Sequence, residues 1–130
     1  MKESIENFVR ETLGCNCSAK VFEQIEIDTK SPGFDGLECD DLIKIGGRLL
    51  LLIVKVDDGL TLLDSLSEYI DKGRQYRDEN GFNRFRLLIA CNNKEAVAEK
   101  VMHHFENLEN KDDRLHVHVL LTDELPLLDL

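Results

Sequence analysis

The run Leu49-Leu-Leu-Leu-Ile-Val54 constrains the fold more than any other stretch of the chain. A strand with one wetted face alternates apolar and polar residues, and this run does not. Both of its faces must be covered, which places it centrally in a sheet with layers on either side. Upstream, Asp41 to Ile45 reads as a second strand, joined to the first through Gly46-Gly47. Adjacent glycines supply the positive φ angles of a two-residue hairpin turn.

Helices and further strands follow. Residues 61–79 carry Leu62, Leu66, Tyr69, Ile70, Gly73 and Tyr76 on one helical stripe, and Asn80-Gly81 stops it. Phe85 to Cys91 is another strand. Asn92 and Glu95 fit a capping box opening a helix to about Leu108, with Val97, Val101, His104, Phe105 and Leu108 on one face. Residues 114–122 set Leu115, Val117, Val119 and Leu121 against His116, His118 and Leu120. At the N-terminus, Ser4 caps a helix over 4–13 whose buried face holds Ile5, Phe8, Val9, Thr12 and Leu13; Gly14 ends it. Ser18 caps a further turn through Phe22, residues 23–28 form a strand, and 29–40 form the longest loop. The order is α-β-β-β-α-β-α-β. The expected fold is a single α/β domain over residues 1–130: a mixed five-stranded sheet with helices on both faces, a central hairpin and two helical crossovers.

Charge narrows the function. The formal net charge of −10 repels phosphate backbones and anionic lipid, so neither nucleic acid nor membrane is an expected partner. The longest apolar run is far short of a membrane span, and the charged N-terminus lacks a signal-peptide core. The expected location is the cytoplasm, where Cys15, Cys17, Cys39 and Cys91 would be thiols, metal ligands or redox groups.

Cys15-Asn16-Cys17 is the leading specific site by sequence. Gly14 breaks the backbone just before it, so two thiolates two residues apart can face one ion or act as a redox pair. Cys39 in the long loop and Cys91 at a strand's C-terminal end would complete a four-cysteine zinc or iron–sulfur site. The plainer reading is that the cysteines fill space as small hydrophobes.

Other candidates are weaker. His116 and His118 lie about 7 Å apart on one face of a strand, a spacing that suits a metal chelate or simply the polar face of an edge strand. His103 and His104 read as structural. Lys72, Arg74, Arg77, Arg84 and Arg86 concentrate positive charge in an acidic chain. They read as a solvated helix face with local ion pairs, or as a place for a small anionic ligand or an acidic patch of a second subunit. The tail carries Leu125, Leu127, Leu128 and Leu130 around Pro126, and is expected to dock in a homodimeric interaction module.

The order α-β-β-β-α-β over residues 4–91 resembles the core of restriction-endonuclease-like proteins. That family places an acid at the start of the second strand and a Glu/Asp-x-Lys on the third. The resemblance makes Asp40 or Asp41 the first acid and Lys55 the lysine, but Ile53 stands where the middle acid belongs. It therefore implies a degenerate domain without active nuclease chemistry. Asp40 and Asp41 otherwise read as solvated loop residues.

Overall fold

A computed structural model of the protein describes residues 2–14, 19–29, 41–56, 60–108 and 112–125. The strands are β1 (Ile25–Thr29), β2 (Asp41–Ile45), β3 (Leu49–Lys55), β4 (Arg84–Cys91) and β5 (Leu115–Leu121). Their order in one sheet is β1-β2-β3-β4-β5. The first three pair antiparallel, and β3, β4 and β5 run parallel. The crossovers between parallel strands are the helices α2 (Leu60–Glu79) and α3 (Lys94–Glu106). The expected mixed α/β sheet is the observed one, with β3 at its centre.

Sequential parallel strands joined by crossovers of one hand must carry both helices on the same face. Leu66, Tyr69 and Ile70 of α2 and Val97 and Val101 of α3 accordingly share one core with Leu50, Leu52, Phe85, Leu87, Ile89, Val117 and Val119. We call this the helical face. Gly73 of α2 brings its backbone so close to Phe85 that a side chain there would overlap the ring.

The second face is covered by the N-terminal segment. Helix α1 (Lys2–Asn7) widens into a π-helical turn over Phe8–Thr12, closed by Leu13 N–H donating to Phe8 C=O at 3.2 Å. Gly14 follows with φ 72°, the left-handed stop expected from the sequence. Ile5, Phe8, Val9, Leu13 and Phe22 pack on Ile43, Ile45, Leu49, Leu51 and Ile53. This cover lies chiefly over β2 and β3. Towards β4 and β5, among the described residues, it is joined by Leu88 and Leu120, with the partly buried Leu125 packed against it.

Three local expectations need correction. The hairpin connection is three residues, Gly46 to Arg48, because Ile45 pairs with Leu49. Gly46 donates to Gln24 C=O at 2.7 Å and lies against the Val21 backbone, so the turn is shaped by β1 and its approach as well as by β2 and β3. Helix α3 is capped at Asn93 without a side-chain bond, so the Asn92–Glu95 box does not form. Asp41 is the first residue of β2 and is buried; the Thr29–Asp41 pairing extends that strand beyond its apolar part.

Candidate anion-binding site

Side chains alternate along a strand, so Arg84, Arg86 and Leu88 leave β4 on the face opposite Phe85 and Leu87. The parallel register sets Arg86 beside His116 and Leu88 beside His118. These polar side chains therefore meet on the part of the second face where, among the described residues, the N-terminal segment contributes least apolar cover. Each arginine leans one pleat along to a histidine. Arg84 Nη1 lies 3.2 Å from His116 Nε2, and Arg86 Nη1 lies 2.8 Å from His118 Nε2. A guanidinium can only donate, so both imidazoles accept at Nε2 and carry their proton on Nδ1.

Arg86 is the unusual member. It is only 8 % exposed, and its other contact is from Nη1 to Leu13 C=O at 3.4 Å. Its Nε is buried with no hydrogen-bond partner. Both observed contacts use Nη1, so the fork formed by Nε and Nη2 is unclaimed among the described residues. Neither Arg84 nor Arg86 forms an ion pair among those residues. Burial first, and the charge of Arg84 second, push the Arg86 pKa down. A buried charge satisfied only by neutral acceptors is costly, and chains usually pair it with a carboxylate.

The histidines respond to the same surroundings. Burial, then Arg86, then His116 lower the His118 pKa to about 4. Burial, then Arg86, then Arg84 lower that of His116, against a smaller opposing pull from Asp112 and Asp113. The site therefore holds two arginine charges and two neutral imidazoles near neutral pH. Such a set repels a cation, which argues against a metal chelate at His116 and His118. No cluster suited to a metal ion occurs among the described residues.

Arg77 shows what a balanced buried arginine looks like in this same fold. It is 1 % exposed, and its two terminal nitrogens meet Asp112 at 3.0 and 2.7 Å. Its Nε reaches Asp78 at 3.0 Å. The pair ties the end of α2 to the approach to β5, and the Arg77 bond holds the Asp112 carboxyl below its usual range. The solvated basic face expected from the sequence is therefore wrong at two places: Arg77 and Arg86 are both buried. Their charge periodicity gave no warning, because the burying elements are distant in sequence.

The remaining candidates lie elsewhere. Cys15, Cys17, Cys39, Asp40 and the tail beyond Leu125 fall outside the described residues. Cys91 is fully buried in the helical-face core, with its thiol 3.6 Å from Leu120 C=O. Asp41 pairs across the sheet with Ile53, and Lys55 follows two residues on, so all three share the second face. Ile53 is fully buried, and its side chain offers no oxygen to a metal ion. His103 is exposed on α3, and His104 is half-buried. No helix among the described residues is long and apolar enough to cross a membrane.

Comparison with family models, with curated proteins and with solved structures finds no match.

Proposed function

We propose that this chain is a binding module that recognises an anionic group at Arg84, Arg86, His116 and His118. The observation that carries the reading is Arg86: a nearly buried guanidinium with an unpartnered Nε and no carboxylate pair among the described residues. An arginine fork is shaped for two oxygens of one anion, and charge-assisted bonds in a partly dry site are stronger than neutral ones. The overall charge of −10 sharpens the point. Distant acidic groups oppose a large polyanion, whereas a small anion feels mainly the two arginines beside it, within a Debye length of about 10 Å.

Calorimetric titration with sulfate, against sodium chloride at matched ionic strength, tests the reading. Saturable binding that disappears in Arg86→Met is expected. Heat no greater than that of the chloride control, or full binding in Arg86→Met, would remove the assignment.

A further inference from the structure

Resting on that reading, we propose that the group recognised is a tetrahedral dianion, the terminal phosphate monoester of a small molecule, and that His118 takes up a proton as it binds.

The ligand class follows from the number and placement of the donors. Arg86 holds its unpartnered Nε in the buried layer, and Arg84 is exposed on the same strand. His116 and His118 stand on the neighbouring strand, about 4.8 Å away. The donors are thus spread through depth and across two strands. A carboxylate presents two oxygens in one plane and is filled by a single fork. A phosphate presents oxygens in three dimensions and can meet several forks at once. Two arginine charges without a carboxylate among the described residues also match a charge of minus two better than minus one.

Proton uptake follows from the contact between Arg86 and His118. While its Nε2 accepts from Arg86 at 2.8 Å, His118 must stay neutral. A proton there would break that bond and set two cations side by side. The titratable groups bearing on His118 are Arg86 from β4 and His116 from its own strand, and the positive form of either opposes protonation. Arg84 lies beyond them, against His116. The N-terminal segment contributes Glu6, Arg10 and Glu11; Glu6 and Arg10 are paired with each other at 3.0 Å, and Glu11 is exposed. Asp112 and Asp113 act on His116. A dianion seated on the Arg86 fork, within about 4–6 Å of the imidazole, reverses that balance and favours the imidazolium. The proton comes from solvent, and His118 changes from an acceptor for Arg86 into a further donor to the anion. Anion and proton then bind cooperatively, each strengthening the other by the same factor.

Sulfate is the probe of choice for linkage, since it stays dianionic across the histidine range. Titrations at about pH 6 in two buffers of different ionisation heat report the protons taken up. A fractional proton per sulfate is expected, and affinity should rise towards a limit of about tenfold per pH unit on acidification. Imidazole resonances of the wild-type protein should show the His118 titration moving up when sulfate is added. In His118→Gln the proton uptake and the gain on acidification should both disappear, while His103→Gln, on exposed α3 surface, should keep both. Acetate should bind far more weakly than sulfate or inorganic phosphate. Glycerol phosphate should bind more tightly than a phosphoserine peptide.

Sulfate binding without proton uptake, or acetate binding as tightly as sulfate, would overturn this inference and leave the anion site standing. A tighter phosphoserine peptide would overturn the small-molecule source. Absence of any anion binding would bring down the site itself.

Discussion

The two faces of this one sheet are finished by different means. On the helical face, α2 and α3 close over the strands with an apolar cluster from Leu42 across to Val119, and the buried arginine there, Arg77, is paired with Asp112. On the second face, the N-terminal segment closes over β2 and β3, while β4 and β5 carry Arg84, Arg86, His116 and His118 where apolar residues would complete the layer. The lesson is that each face buries an arginine, but the one on the second face has no carboxylate partner among the described residues. Leu51 and Arg86 are neighbours in register and both buried, yet only one of them lowers its free energy by leaving water.

The comparison breaks most sharply at Phe85. Phe85→Ala on the helical face should cost about 3–5 kcal/mol in urea unfolding, since the ring is fully buried against α2. Gly73→Ala should cost about 1–3 kcal/mol through overlap with that ring, outweighing the better helix propensity of alanine. In the Phe85→Ala background the same glycine change should become neutral or favourable. A Gly73 effect independent of Phe85 would show that the two are not packed as described.

The next effect belongs to the second face and depends on pH. Folded His118 titrates near 4, against an ordinary value of 6.5. Between these values the unfolded chain binds more protons than the folded one, so stability rises with pH and is lost on acidification through that window. The loss should reach about 2 kcal/mol, set below the full shift because the ring keeps some contact with water. His118→Gln should flatten the dependence there. Asp112 acts separately: its depressed pKa contributes stability that is present above the ordinary carboxylate value and lost as pH falls through its folded one. An unchanged profile in His118→Gln would mean that the ring is not held neutral by burial and Arg86.

A smaller effect, of opposite sign to Phe85→Ala, is expected at Arg86. Arg86→Met replaces an unbalanced buried charge with an apolar chain of similar length. Stability should be unchanged or rise by about 1 kcal/mol, while anion binding is lost. A loss beyond about 2 kcal/mol would show that the Leu13 and His118 bonds make Arg86 a structural strut.

No effect at all is expected at the other end of the second face. With the apolar Ile53 between Asp41 and Lys55 on this face, double-stranded DNA should survive incubation with magnesium or manganese, and Lys55→Ala should change nothing. Metal-dependent cleavage abolished by that substitution would overturn the degenerate reading.

Short-range periodicity was enough for much of this architecture. The unbroken Leu49–Val54 run requires a central strand, and alternation in β5 separates Val117 and Val119 from His116 and His118, because strand geometry sends successive side chains to opposite faces. The α2 stripe and its stop at Gly81 were equally readable, since helical spacing and a left-handed glycine are local properties. Tertiary structure alone decided what those faces meet. Nothing in the order of residues announces that Arg86 stands beside His116 and bonds to His118, or that Leu13 brings its carbonyl to the same guanidinium from a distant turn. Nor does it announce that Arg77 finds Asp112 while Arg86 finds no carboxylate among the described residues. Local patterns record which side of an element is apolar. The partner of a buried charge depends on strand register and on where a separate segment stops, and both are settled only when the whole chain packs.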